Sequence, residues 1–447
     1  MPHVTRPRSS KRRNAWLALL ALLLVLALAA WAIMHHPEID REPAAQRQAF
    51  EPVIVERGAR LAAVGTCAAC HTVDLARPFA GGLPLATPFG TIYSTNITPD
   101  ARTGIGDWSE AAFTRALREG VSRDGHLLYP AFPYDHYTRM TQDDIRALYA
   151  YFMTRPALAS PAPQNDLRFP FGLRPLVAFW NILYLERKPW MPDPKQGVEW
   201  NRGAYLADAL AHCAACHSPR TRLGGPDQRR FLDGGEAEGW YVPALNANSP
   251  SPLPWTRDHL AEYLRTGIAP DHAAAGGPMQ AVVENLRLAD PADVDAIATY
   301  VYSYLRHVPA QASPAPMAAQ ALQAGEPAHL PQPRADDPDL ARMRTGYAVY
   351  ANACARCHDL GRAETSGAAL PLQKAVALYD PDPRSLIHIV RDGIAPPDGE
   401  PARWMPGFAG ILDDGQTAAL MAYLRRYGAD KPAWDNIEDS VRKAKQP

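Results

Sequence analysis

All six cysteines of this 447-residue chain fall in three strings of one form: Cys67-Ala-Ala-Cys70-His71, Cys213-Ala-Ala-Cys216-His217 and Cys354-Ala-Arg-Cys357-His358. No thiol is left over for a structural disulfide. A two-residue spacer sets the paired sulfurs at a separation suited to thioether bonds with the two vinyl groups of a porphyrin, and the next residue, histidine, is then held beneath the iron. A zinc site needs four ligands, and each string supplies three. A thioredoxin-like redox motif does not call for a histidine after every pair. The strings therefore predict three covalent haem c groups, on Cys67 and Cys70, Cys213 and Cys216, and Cys354 and Cys357, with His71, His217 and His358 as proximal iron ligands.

The sixth iron ligand has to come from the segment before the helix that closes each unit. Met405 lies 47 residues beyond His358, in Trp404-Met-Pro-Gly-Phe408, and Met279 lies 62 beyond His217, in Gly277-Pro-Met279. Both are expected to be distal ligands. In the first unit the position 61 residues beyond His71 is Phe132, within Tyr129-Pro-Ala-Phe-Pro-Tyr-Asp-His-Tyr-Thr-Arg-Met140. Phenylalanine cannot ligate iron. His136 is the preferred distal ligand there, with Met140 as the alternative because it directly precedes a helix cap, where an apolar residue usually staples onto the helix. An open sixth position is the remaining reading.

The elements that must hold these residues repeat with them, at intervals of 146 and 141 residues between motifs. Glu56 to Gly65, Arg202 to His212 and Ala341 to Ala353 read as helices leading into the motifs, each with an early glycine: Gly58, Gly203 and Gly346. Closing amphipathic helices are expected over Asp143 to Met153, Asp293 to Leu305 and Gln416 to Tyr427. They place Leu148 and Tyr151, Ile297 and Tyr300, and Leu420 and Tyr423 on one face each. Thr141 is a plausible cap for the first of these. In the first two units, Ser109 and Thr256 read as caps of a short helix that Gly120 and Gly267 end.

Before the units, basic Arg6, Arg8, Lys11, Arg12 and Arg13 precede a run from Ala15 to Met34 of about the length that spans a bilayer. The expected organisation is a cytoplasmic tip and single-pass anchor over 1–36, units over 51–158, 196–308 and 338–447, an apolar Pro-rich linker over 159–195, and a Pro/Ala spacer over 309–337. A cleaved signal, with Ala27-Leu-Ala29 or Ala30-Trp-Ala32 as its small-residue site, is the competing reading. Both export the body of the chain. The linker segment Phe169 to Pro189 is too apolar to hang in solvent: it either covers an interface, packs between the first two units, or rests on a membrane surface. With 46 basic against 47 acidic residues, nothing suggests a nucleic-acid partner.

The three motifs, the string Tyr93-Ser-Thr-Asn-Ile-Thr-Pro-Asp100 with Thr103-Gly-Ile-Gly106, and Leu127-Leu-Tyr-Pro-Ala-Phe-Pro-Tyr134 resemble the three-haem cytochrome c subunit of membrane-bound bacterial dehydrogenases. The resemblance implies a mainly α chain, with three tandem class I cytochrome c domains after one N-terminal transmembrane helix in the inner membrane and the haem domains in the periplasm. It implies a catalytic dehydrogenase subunit as partner, with an iron–sulfur subunit as a further one, and ubiquinone or a terminal oxidase as acceptor. Phe132 looks more like the versions that serve molybdenum-dependent aldehyde or heteroaromatic dehydrogenases than those of alcohol or gluconate dehydrogenases. The second unit departs from the pattern, offering Asn246-Ala-Asn-Ser-Pro250 in place of the Asn-Ile-Thr-Pro-Asp string. No base, nucleophile or cofactor loop stands outside the haem units, so no substrate site is expected in this chain. A haem enzyme with an open first iron, or a terminal-oxidase subunit, are the competing functions.

Overall fold

The computed structural model describes residues 9–46, 48–305, 330–359, 370–396 and 405–445. The tip before Ser9, the spacer as far as residue 329, and Trp404 lie outside the described residues. The chain opens with α1 (Ser9–Met34). The first unit contains α2 (Pro52–Val64), α3 (Cys67–His71), the hairpin β1 (Pro84–Thr87) and β2 (Gly90–Tyr93), α4 (Glu110–Glu119), α5 (Tyr134–Tyr137) and α6 (Gln142–Met153). The linker adds β3 (Asp166–Leu167), antiparallel to β2 with Gly90 opposite Leu167, and then α7 (Pro175–Tyr184).

The second unit repeats the plan. It contains α8 (Val198–Tyr205), α9 (Ala214–His217), the hairpin β4 (Gly235–Ala237) and β5 (Trp240–Val242), α10 (Arg257–Thr266), α11 (Pro278–Leu286) and α12 (Pro291–Leu305), with β6 (Ile268–Ala269) and β7 (Ala273–Ala274) between α10 and α11. The third holds α13 (Leu340–Val349), α14 (Ala355–His358), α15 (Arg384–Asp392), α16 (Asp414–Gly428) and α17 (Ile437–Lys443). The expected leading helices of the second and third units are broken: Leu206–Leu210 and Tyr350–Cys354 wind as π-turns immediately before or into the motif. Such a turn inserts one residue into the helix and re-aims the residues beyond it.

Helix ends follow the side chains that terminate them. Ser109 Oγ accepts the Ala112 N–H, Thr256 Oγ1 that of His259, and Thr141 Oγ1 that of Asp144. Gly120 (φ 64°) and Gly267 (φ 78°) close α4 and α10 in the left-handed region, where a Cβ is penalised.

In each unit the leading and closing helices cross at the early glycine. A Cβ on Gly58 would stand 1.9 Å from the Ala147 carbonyl oxygen, one on Gly203 1.9 Å from that of Ala296, and one on Gly346 2.3 Å from that of Ala419. Only hydrogen fits at those three crossings. Beside the glycine in the first two units an arginine reaches the start of the closing helix: Arg57 to Asp144 at 2.5 Å, and Arg202 to Asp293 through two bonds of 2.7 and 2.8 Å.

The units are not equally separate. The first two share one apolar cluster, running from Leu61, Phe113 and Ile145 through Tyr205 and Leu210 to Leu260 and Ile297, whereas the third has its own around Tyr350, Leu386, Leu420 and Tyr423. Asp144 is buried where the first two meet, accepting from Arg57 on one side and from the Tyr205 hydroxyl of α8 at 2.6 Å on the other. Among the described residues no helix is long and apolar enough to cross a membrane.

Gly58→Ala and Gly203→Ala are expected to destabilise the chain by about 3 kcal/mol each, since backbone must move to admit the methyl group. Gly172→Ala, at an exposed position where the Cβ would meet only the Leu167 carbonyl oxygen at an ordinary 3.8 Å, should change stability by no more than about 0.5 kcal/mol. Urea unfolding midpoints compared across the three variants check this.

Candidate haem-binding sites

Each motif is a single helical turn whose second cysteine and histidine end it. In the first two units the residue before the first cysteine is a non-glycine in the left-handed region, Thr66 (φ 50°) and His212 (φ 42°), which swings the chain from the leading helix into the motif. Burial pushes the Cys67, Cys213 and Cys354 thiols up to about 12, so without a bound group they stand as neutral thiols. Among the described residues no three His, Cys, Asp or Glu side chains gather as a metal-ion cluster.

The three motif histidines share one hydrogen-bond pattern. His71 Nδ1 lies 2.6 Å from the Thr95 carbonyl oxygen, His217 Nδ1 2.8 Å from that of Pro243, and His358 Nδ1 3.1 Å from that of Leu370. A ring that donates Nδ1–H to a carbonyl presents the lone pair of Nε2 to a metal, with its tautomer and plane set. Desolvation lowers the pKa of all three below the usual histidine value, so the neutral, ligating form is favoured. Two thiols and one oriented imidazole at each motif are the donor set that a covalently attached haem requires.

The Tyr93–Asp100 string holds that orientation in the first unit. Asn96 and Thr98 are buried; Asn96 Oδ1 accepts the Thr98 N–H at 2.9 Å, and its Nδ2 donates to the Leu158 carbonyl at 2.7 Å and to Thr103 at 3.1 Å. Asp100 accepts the Thr103 backbone and hydroxyl, both at 2.7 Å. The loop so braced presents the Thr95 carbonyl to His71. The divergent second-unit string makes the same turn, with Asn246 Oδ1 accepting the Asn248 N–H at 2.9 Å.

On the distal side, Met279 lies in the first turn of α11 and packs on the shared cluster, while Met405 packs on the third unit's cluster and is tied to Ile394 by reciprocal backbone bonds of 2.9 and 3.0 Å. The first unit's three positions are separated. Phe132 packs with Tyr134 and Tyr137. Met140 is 2% exposed inside the cluster. His136 lies where the first unit meets the second: its Nδ1 is 2.8 Å from the Asp208 carbonyl, and it lines a small cavity with Asp208, Ala214, Ser218 and Phe231.

The second unit touches both others, on different faces. Leu210 lies against Gly65 of the first, α5 packs on residues 206–210, and α11 packs on α2 and α3. Towards the third, Trp240 stacks on His388 with ring centroids 5.0 Å apart, Gly276 faces Trp240 and Ile394, Arg384 pairs with Glu236 at 2.7 Å and Lys374 with Asp271 at 2.5 Å. These contacts place the loop before Met279 beside the strand-like stretch that holds Met405. Sequence reasoning missed Trp240 and His388, because two residues 148 apart carry no mutual signal along the chain. His272 is fully buried and stacked on Trp255 at 3.9 Å, and its carbonyl accepts the Val376 N–H of the third unit.

Repeated helical units, each with a thioether-spaced cysteine pair, a carbonyl-oriented histidine and a glycine crossing between its leading and closing helices, define a multi-domain c-type cytochrome carrying covalent haem c. Comparison with known proteins agrees: the family described as "Cytochrome c" matches residues 55–156 and 201–304, and that described as "Cytochrome C oxidase, cbb3-type, subunit III" matches 341–424. The chain is 36% identical to the fructose dehydrogenase cytochrome subunit of Gluconobacter japonicus, over 90% of this chain and 84% of that one. It is 38% identical to the gluconate 2-dehydrogenase cytochrome c subunit of Pantoea cypripedii, over 83% and 85%. A nicotinate dehydrogenase subunit of Pseudomonas putida is 42% identical over 96% of this chain, which spans only 35% of that longer protein. The chain belongs to the family of cytochrome c subunits of bacterial dehydrogenases.

The junction between the second and third units carries a pH dependence. Ser251 donates its hydroxyl to the Leu253 carbonyl, so it accepts from His272 Nδ1–H at 3.0 Å, and His272 Nε2 then accepts from His259 Nδ1–H at 3.1 Å. A second proton on His272 would set two N–H groups against each other. Burial, with His259 and Lys374 nearby, pushes its pKa down to about 4, against the raising effect of Asp271. A depressed pKa means the unfolded state binds the proton more readily, so this contribution to stability is complete above about 6.5 and is lost as pH falls towards 4. Stability measured across that window should fall, and the fall should be smaller in His272→Phe.

Proposed function

We propose that the chain is a membrane-anchored periplasmic electron-transfer subunit with three haem c groups, taking electrons from a partner dehydrogenase and passing them to ubiquinone or a terminal oxidase. The observation that carries this reading is the threefold recurrence of a cysteine pair beside a histidine whose Nδ1 is tied to a backbone carbonyl. Bound haem supplies reversible one-electron chemistry at iron. The chain's own part is to attach it through Cys67 and Cys70, Cys213 and Cys216, and Cys354 and Cys357, to aim His71, His217 and His358, to offer Met279 and Met405 opposite, and to exclude water. Because the second unit contacts both others, an electron relayed between the first and third passes through it.

The partner is inferred to be a molybdenum-dependent aldehyde or heteroaromatic dehydrogenase with an iron–sulfur subunit. Phe132 and the 42% identity to the nicotinate dehydrogenase subunit support this; the fructose and gluconate relatives support the sugar and sugar-acid alternative. The anchor is proposed from the charge-free run Ala15 to Met34, whose Trp16, Leu20, Leu24 and Trp31 are each more than half exposed along α1. The basic residues ahead of it favour a cytoplasmic start and a periplasmic body.

For the first site His136 is proposed as distal ligand, with Met140 as the alternative. His136 shares the carbonyl-bonded Nδ1 of the motif histidines, and Met140 is sealed in the apolar cluster of the unit. Methionine raises a haem potential relative to ligation by two nitrogens, so with His136 the first site is the lowest in potential.

Haem content by the pyridine haemochrome assay should be three per chain, falling by one with Cys70→Ala. In a redox titration, His136→Ala should shift the lowest potential and its spectrum. Unchanged potentials in His136→Ala, with a shift in Met140→Ala, would transfer the role to Met140.

A further inference from the structure

The linker between the first two units has one face that the fold uses and one that it does not. The inner face of α7 buries Val177, Ala178 and Trp180. The Tyr134 hydroxyl donates to Asn181 at 2.6 Å, Trp180 donates to the Leu223 carbonyl at 3.2 Å, and Tyr184 bonds to Thr221 at 2.8 Å, so α7 is pinned to both units. Its outer face is apolar and bare. Leu176, Phe179 and Leu183 follow one another at three- and four-residue steps with Ile182 beside them, and Leu173 and Phe169 extend the surface ahead of the helix; Ile182 and Leu183 are each 62% exposed and Phe169 89%. A soluble surface rarely carries a contiguous apolar face of this kind without a partner.

Three observations say what covers it. First, α7 lies beside the end of α1: Met34, the last residue of α1, packs on the cluster of Val121, Leu127, Val177 and Ala178, to which the inner face of α7 contributes. Second, the chain leaving α1 is strapped to the first unit, by Ile39 N–H to the Arg123 carbonyl at 2.9 Å, Arg115 to the Pro37 carbonyl at 2.7 Å and Arg123 to Glu38 at 2.6 Å. The end of α1 and the linker are therefore held side by side. Third, exposed Arg168 and Arg174 precede the helix and exposed Arg187 and Lys188 follow it, leaving the segment net positive despite Glu186. An apolar face bordered by basic side chains matches the acyl boundary and phosphate layer of an anionic bilayer.

We infer that the outer face of α7, with Phe169 and Leu173, lies in the headgroup region of the membrane beside α1, giving the protein a second lipid contact that fixes how the first two units face the bilayer. This rests on the proposed anchor, and the test separates the two. The full chain, in nanodiscs of mixed phosphatidylethanolamine and phosphatidylglycerol, takes a nitroxide at one introduced cysteine: Phe179→Cys or Leu183→Cys on the face, Leu22→Cys in α1, or Asp435→Cys on the exposed surface of the third unit. Unsubstituted chain treated in parallel sets the background. Labels at 179 and 183 should collide several-fold more with oxygen than with a water-soluble nickel chelate, as at 22, with the reverse at 435. Water-like collisions at 179 and 183 with a lipid-like label at 22 overturn the inference and leave the anchor standing. Immobile labels at 179 and 183, shielded from both relaxers, also overturn it, since a protein subunit then covers the face. A water-like label at 22 with lipid-like labels at 179 and 183 removes the anchor and keeps the inference, and water-like labels at all three remove both.

Discussion

Everything in the three units depends on how closely two helices can approach. At Gly58, Gly203 and Gly346 the leading helix lies against a carbonyl of the closing helix, at a distance where a methyl group would overlap the oxygen. That contact sets the angle between the helices. The motif comes a few residues after the leading helix and the segment carrying the expected distal residue precedes the closing helix, so the angle bears on where both stand. The arginine–carboxylate pairs of the first two units, Arg57 with Asp144 and Arg202 with Asp293, sit next to the crossing and fix its register.

The second dependence is on backbone carbonyls supplied by loops. Thr95, Pro243 and Leu370 lie 24, 26 and 12 residues beyond their histidines, in segments that resemble one another little, yet each delivers an oxygen to Nδ1. Since the acceptor is main chain, the side chain at that position is unconstrained. The constraint falls on the brace behind it, and the buried hydrogen bonds of Asn96, Thr98 and Asp100 are that brace in the first unit. They also explain why an Asn-x-Thr string here is an internal fitting.

The junctions differ in kind. The first two units bury a common apolar cluster with a carboxylate, Asp144, sealed between an arginine and a tyrosine; the third is held to the second by ion pairs, a Trp240–His388 stack and the Val376 N–H bond to the His272 carbonyl.

Much of the site was legible along the chain because its signals are local. The caps at Ser109, Thr256 and Thr141, the ending glycines and the leading glycines all act within a few residues, and each stands where the spacing placed it. The three helices that close the units differ from their expected spans by two residues or fewer at either end. What the tertiary structure alone decided is what depends on partners far along the chain. It split Phe132, His136 and Met140 between the core and the unit junction, merged two units into one core, gave the linker helix one buried and one bare face, and joined Trp240 to His388. Covalent spacing is a property of neighbouring residues, whereas burial and packing belong to surfaces that exist only once the chain has closed on itself.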